Sequence, residues 1–251
     1  MPDLFERPPI AQAPLSIVLP ACNVEADLGK VLDPWIAYLE TLGRDYEVFV
    51  VHDGSTDRTA ELAGVLEGKY PRFRYLSHAH PPGIGAALRT GLEAAQFPLF
   101  CYAECSSAYD PADLARLLEA IDKVDLVSGY RVWQSARPPR FWRRYAYRSF
   151  LRFVYGLRLV DVDCAFKLFR RSIFARIPIQ SKGSFVHAEI LAKANFLGCL
   201  MTEAPVRYEP TPRSPSDPPF TAAWRADARR VFFYPDFGPP VLPEAPQPPP
   251  S

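Results

Sequence analysis

Apolar and polar positions along the chain alternate between two rhythms. Short, mainly apolar runs with β-branched and aromatic residues occupy Leu15–Pro20, Tyr46–Val51, Phe73–Ser77, Leu99–Ala103 and Leu126–Tyr130. Runs of this length with so few polar positions fit strands buried on both faces. Between them the spacing lengthens to that of a helix. Leu28, Val31, Leu32, Trp35, Ile36 and Leu39 fall on one helical stripe within Asp27–Leu42. Further helices are expected to about Lys69, from about Ala86 to Gln96, and over 112–122, where Asp110-Pro111 suits a first turn. Alternating strand and helix predict a mostly parallel central sheet flanked by helices, a Rossmann-like α/β domain.

In such sheets ligands bind outside the carboxyl ends of the strands. Asn23, Asp53, Glu104 and Arg131 each fall at or just beyond one of those ends. Together they predict a single polar rim, which is the candidate site.

Proline changes the picture near the end of the chain. The stretches 205–219 and 235–251 are rich in it, and proline can keep neither helix nor ladder hydrogen bonds. These segments are expected to form an irregular cover and a partly disordered tail. The expected organisation is an N-terminal extension (1–13), one domain (14–210) and a Pro-rich C-terminal segment (211–251). A formal net charge of +1 over 251 residues offers no global field for nucleic acid. The start, MPDLFERPPIAQAP, has neither the basic opening nor the apolar core of a secretory signal, and no run is long enough to span a bilayer. Five cysteines in no paired spacing suit reduced thiols. A cytoplasmic chain is the expectation.

Two segments carry candidate chemistry. Asp53-Gly54-Ser55-Thr56-Asp57 closes a strand and opens a helix. There Asp53 and Ser55 can meet a base, ribose or phosphate beside free helix N–H groups, although capping alone would also explain the turn. After the first strand stands Pro20-Ala21-Cys22-Asn23-Val24-Glu25 rather than a Gly-rich fingerprint, which argues against a nicotinamide enzyme. The second segment, Arg137–Arg158, holds seven arginines and no acid, interleaved with aromatic residues. Such a helix can rest on a lipid headgroup surface, or simply pack by its aromatic face with its arginines in water.

In order and spacing these segments resemble glycosyltransferase family 2 over about 14–208, most closely its polyprenyl-phosphate sugar transferases of the dolichyl-phosphate-mannose synthase type. Pro20-Ala21 with Asn23 and Glu25, His52–Asp57, Gly83-x-Gly85-Ala86-Ala87-Leu88, Tyr109–Leu114, Gly129-Tyr130-Arg131 and Asp161–Arg171 carry the likeness. The resemblance implies a GT-A fold and inverting transfer from a nucleoside-diphosphate sugar, with a polyprenyl phosphate at a membrane surface as acceptor. It places Pro20, Ala21, Asn23, Glu25, Asp53, Ser55, Gly85, Arg89, Glu104 and Arg131 on the donor side. Asp161 and Asp163 join Glu104 as candidate catalytic acids. Arg143, Arg144, Lys167 and Arg170 are the expected acceptor-phosphate contacts.

Where the family carries a metal-binding Asp-x-Asp, this chain reads Glu104-Cys105-Ser106, and His52 replaces an acid of the nucleotide motif. Mg²⁺ or Mn²⁺ held by Glu104 and Ser106 is weakened, because a neutral hydroxyl is a poor ligand for a hard cation. A zinc site from His52, His187 and Glu104 needs a convergence that sequence does not supply. Two outcomes stay open: a working transferase, or a catalytically impaired relative that binds nucleotide or lipid phosphate as the partner subunit of a membrane protein. A nucleotidyltransferase on a similar fold lacks the expected Gly-rich loop.

Overall fold

The computed structural model describes residues 9–54, 57–78, 83–133, 141–211 and 221–238, without the side chains of Asp53, Trp133 and 141–144. Seven strands form one sheet: β1 (Leu15–Ala21), β2 (Tyr46–Asp53), β3 (Phe73–His78), β4 (Leu99–Ala103), β5 (Leu126–Trp133), β6 (Phe166–Arg170) and β7 (Met201–Tyr208). Their spatial order is β3-β2-β1-β4-β6-β5-β7. All neighbours run parallel except β6, which is antiparallel to both β4 and β5. The expected mostly parallel sheet is therefore present, with one reversed strand inside it.

Helices cover both faces. α1 (Leu28–Thr41), α2 (Thr59–Lys69) and α4 (Leu114–Ile121) lie on one side. α3 (Ile84–Ala94), α5 (Phe141–Tyr155), α6 (Val186–Phe196) and α7 (Ala222–Phe233) lie on the other. Strand residues alternate between the two cores, so that Ile17 and Leu19 join the first and Val18 the second. Close packing explains one glycine here. A Cβ at Gly91 of α3 would stand 2.4 Å from Val18 Cγ1, so only glycine lets the helix lie this close to β1.

The C-terminal part differs from its expectation. Pro205 lies within strand β7, paired opposite Tyr130, rather than in an irregular cover. The strand tolerates it because β7 is the sheet edge, where one side of the backbone has no ladder to complete. Within 211–251, residues 222–233 form α7. Thr221 caps it by accepting from the Trp224 amide at 3.1 Å, and Trp224, Asp227, Ala228 and Val231 are buried. The remaining Pro-rich stretches, 212–220 and 239–251, and the extension over 1–8 lie outside the described residues.

The reversed strand matters for the site. Because β6 runs against its neighbours, the loop that precedes it, not the one that follows, reaches the carboxyl-end rim. That loop carries Asp161 and Asp163.

Candidate active site

β1 separates β2 from β4. Asp53, the last residue of β2, and Glu104, the first after β4, thus stand on the same rim, roughly 10 Å apart across two strand spacings. The loops between them are braced. Cys105 donates its amide to Pro20 O at 3.4 Å, joining the ends of β1 and β4. Asn23 turns the chain after Ala21 with φ 52°, a left-handed conformation that asparagine tolerates. Asp57 then locks two loops together. Its carboxylate accepts from the Glu25 amide and from the amide and hydroxyl of Thr59, at 3.1, 3.1 and 2.6 Å. Burial alone would raise its pKa, but these bonds hold it below the ordinary aspartate range. Glu25 in turn accepts from the Arg58 amide. Asp57 and Thr59 were not singled out from sequence; the signal was there in the second acid of the strand-turn-helix motif. Ser55 lies outside the described residues.

Gly85 and Arg89 serve a segment rather than an open rim. The Gly85 amide donates to Lys182 O at 2.8 Å, and a Cβ there would fall 2.1 Å from Ser181 O. Arg89 Nη1 donates to the carbonyls of Ile179 and Ser181. The same segment is held from two further helices. The Glu189 carboxylate accepts the amides of Gln180 and Ser181 at 2.7 Å, and Asp227 accepts those of Lys182 and Gly183. Glu189 is itself paired with Lys193 at 2.8 Å, both fully buried. Three helices thereby fix 179–183 against the start of α3.

The second half of the rim centres on the loop before β6. Asp161 grips Arg131 through a fork, with Nε and Nη2 donating to its two carboxylate oxygens at 2.7 and 2.8 Å. Burial works against the Arg131 cation, but the Asp161 charge and bonds outweigh it and hold its pKa above the usual value. Arg131 thus spends its charge on Asp161 and on the face of the Tyr208 ring, 5.2 Å away. The guanidinium expected on the donor side is thus engaged by Asp161.

Lys167 and Arg170, expected as acceptor-phosphate contacts, are instead bonded within the fold. Lys167 is fully buried on β6, and its ammonium donates to Ser128 Oγ and to the carbonyls of Val162 and Cys164. It holds the loop of Asp161 and Asp163 from beneath. Burial lowers its pKa. Arg170, at the far end of β6, donates to the carbonyls of Ile121, Asp122 and Val124, on the edge of the sheet opposite the rim. Arg143 and Arg144 lie in the first turn of α5, and their side chains are outside the described set.

Asp163 is different. Tyr147 of α5 donates to its Oδ1 at 2.6 Å. Burial pushes its carboxyl up to about 6; the Tyr147 bond and the charges of Arg131 and Lys167 pull it down, while Asp161 adds to the rise. A carboxylate at that value can accept a proton near neutrality. His187 stacks on Tyr102 and shares a 3.0 Å hydrogen bond with its hydroxyl. Burial, with Lys167 and Arg131 nearby, lowers its pKa to about 3, so it is a neutral packing residue.

The Glu104-Cys105-Ser106 segment supplies little for a cation. Ser106 is buried, and its Oγ accepts from the Ala108 amide at 3.3 Å, closing its own turn. It lines a pocket of about 320 Å³ on the α1 side, with Lys30, Trp35, Asp110 and Arg207, apart from Asp163. Burial pushes the Cys105 thiol up to about 12, so it stands as a neutral buried thiol. His52 lies buried on β2 against the Tyr75 ring. No group of three His, Cys, Asp or Glu side chains able to hold a metal is present among the described residues. Among the described residues Glu104 and Ser106 thus make no clear site for a divalent ion by themselves, and the zinc alternative does not assemble there either.

A seven-stranded, mostly parallel sheet with acids on the rim of β4 and on the loop before a reversed β6 defines a GT-A nucleotide-sugar transferase architecture. The family model for glycosyl transferase family 2 matches residues 16–177, and the chain belongs to that family. Glycosyltransferase AglD of Haloferax volcanii is 31% identical over 207 residues, 78% of this chain and 33% of that one. The dolichyl-phosphate beta-glucosyltransferase of Saccharomyces cerevisiae is 26% identical over 236 residues, 83% of this chain and 70% of that one. The undecaprenyl-phosphate mannosyltransferase of Micrococcus luteus is 28% identical, covering 67% and 76% of the two chains. The chain thus spans only a third of AglD and 56% of a Trichomonas vaginalis dolichyl-phosphate beta-glucosyltransferase, ALG5D, which is 29% identical to it. Among solved structures, glucosyl-3-phosphoglycerate synthase of Mycobacterium tuberculosis with Mn²⁺, UDP and phosphoglyceric acid superposes at a TM-score of 0.67. It is 20% identical, over 89% of this chain and 78% of that one, and shows the shared fold.

Proposed function

We propose that this chain transfers a sugar from a nucleoside-diphosphate sugar to a polyprenyl phosphate, with Asp163 as the base. The observation that carries the reading is the Asp163 carboxylate, half-buried beside the rim, held by Tyr147 and poised at about 6. A phosphate monoester loses its second proton near that pH. An acceptor oxygen attacks the anomeric carbon as the bond from that carbon to the diphosphate breaks; the nucleoside diphosphate leaves, and any remaining acceptor proton passes to Asp163. The named acceptors of the Saccharomyces and Micrococcus relatives support the lipid phosphate.

The donor lies against Pro20, Ala21, Asn23 and Asp53, with Glu104 facing its diphosphate; Asp161 fixes Arg131 and thereby the floor of the acceptor side. The second reading, a nucleotide- or lipid-phosphate-binding subunit beside a membrane protein, is favoured by Ser106, whose hydroxyl is committed to its own turn.

Radiolabelled UDP- and GDP-sugars incubated with undecaprenyl or dolichyl phosphate in detergent, with and without Mn²⁺, test the proposal. Lipid-linked sugar that disappears in Asp163→Asn is the expected result. Nucleotide binding without turnover under every condition overturns it in favour of the binding subunit.

A further inference from the structure

The segment 137–158 was weighed from sequence as a lipid-surface helix or a packed one. The structure shows α5 packed by its aromatic inner face, with α7 beside it. Its inner face is spent on the core. Tyr147 and Phe150 meet Trp224 of α7 at ring-centroid distances of 5.7 and 5.9 Å, and Tyr155 donates to Ala228 O and meets Phe232. Contacts advance together along both helices, so α5 and α7 lie side by side and parallel. Their outer faces form one surface.

That surface has a distinct composition. On α5, Tyr145, Arg148, Arg152 and Phe153 share a helical stripe, with Tyr145 63% and Phe153 87% exposed. On α7, Arg225, Arg229 and Phe233 form a second stripe, followed by Tyr234, the last two 63% and 78% exposed. Arg148, Arg152, Arg225, Arg229 and Arg230 make no ion pair with any described residue. By contrast Arg58, Arg72, Arg116, Arg131 and Arg207 elsewhere are each paired with a carboxylate. The one acid of α7, Asp227, is turned inward onto the amides of Lys182 and Gly183.

Exposed large aromatics beside guanidiniums that no described carboxylate pairs suit a lipid surface, with the rings at the acyl boundary and the arginines among anionic headgroups. We infer that α5 and α7 together form a docking face for an anionic lipid surface, with α7 contributing as much as α5. The charges carry the choice of occupant. A second copy of the same face would bring unpaired arginines against one another, and a neutral apolar partner would leave them buried without counter-charge. The inner side of α5 carries Tyr147, bonded to Asp163, so a lipid held by the outer face is one helix thickness from the proposed base; that last link rests on the proposed function, whereas the docking face does not.

The test is co-sedimentation of the full chain with phosphatidylcholine vesicles, with and without phosphatidylglycerol, at low and high salt. Binding only to the anionic vesicles, weakened by salt, is expected. Arg225→Glu with Arg229→Glu should reduce it at least tenfold, since each basic residue near such a surface contributes about 1 kcal/mol. Phe233→Ser should weaken it too, and Val65→Ser on α2, exposed on the opposite face, should not. Circular dichroism verifies folding of each variant. Equal binding of the α7 variants and the parent would overturn the inference, as would salt-insensitive binding to both vesicle types or a concentration-dependent dimer abolished by Phe233→Ser. UDP- and GDP-sugar binding in solution, measured by calorimetry, separates the two proposals: no binding of either by the parent sinks the transferase reading while leaving the docking face intact.

Discussion

As the proposed base, Asp163 is the residue where stability and chemistry would pull in opposite directions. Its folded pKa is raised, so the fold favours the protonated carboxyl. That contribution is full below about 4, the unfolded value, and is lost as pH rises through about 6. The proposed catalytic role needs the ionised form, which accumulates over the same range. Transfer should therefore fall as pH drops below about 6, while Asp163→Asn should lose on the order of 100-fold in rate yet gain about 1–2 kcal/mol of stability at pH 8 by removing a buried charge. A pH–rate profile and urea unfolding at two pH values test both halves. Lys167 behaves in the opposite sense. Lys167→Met strands Ser128 Oγ and two carbonyls in the core, and should cost roughly 2–3 kcal/mol in urea unfolding. Neither role was legible from composition. A lysine in Asp-x-Asp-Cys-Ala-Phe-Lys reads as a surface cation until the reversed strand places it between Tyr102 and Ser128. The pairing of Arg131 with Asp161 joins residues thirty apart and has no local signature.

At the scale of elements, the segment 179–183 is the part most sensitive to small changes. Gly85→Ala would drive a methyl into Ser181 O and should destabilise by more than about 2 kcal/mol. Gly29→Ala on α1 meets nothing within 4 Å and should be neutral or stabilising by up to about 1 kcal/mol. Thermal unfolding of the two variants side by side distinguishes packing from helix propensity. Glu189→Gln leaves the Lys193 ammonium buried beside a neutral amide and should cost about 3–5 kcal/mol. The five early strands and four early helices were readable because each is a mainly apolar run or stripe between turn signals. β6, β7 and α7 were not: Phe-Lys-Leu-Phe-Arg hides a strand behind two charges, Pro205 masks an edge strand, and α7 is arginine-rich between prolines. In each case tertiary position, rather than local preference, decides the conformation.

For the whole molecule, the rim unites loops that sequence could place only one by one. Asp53 and Glu104 share it because β1 stands between their strands, which the succession of parallel strands already implied. The weak point is the cation site. Glu104→Asp with Ser106→Asp should raise UDP affinity in the presence of Mn²⁺ at least tenfold over the parent, read by calorimetry, provided the new carboxylate at 106 leaves its capping bond to Ala108. No gain from Mn²⁺ in the double variant would mean that the backbone of this turn, not its side chains, sets the metal response.

The turn that follows the reversed strand, carrying the exposed Ser172, opens at the base of the sheet, where the Arg171 amide bonds to Pro98 O. Anything grafted there stands a full strand length from the reacting groups. A fluorophore attached at that point can report rotation or surface capture of the entire particle while leaving turnover untouched, which makes it a natural anchor for immobilising the protein with its working end outward.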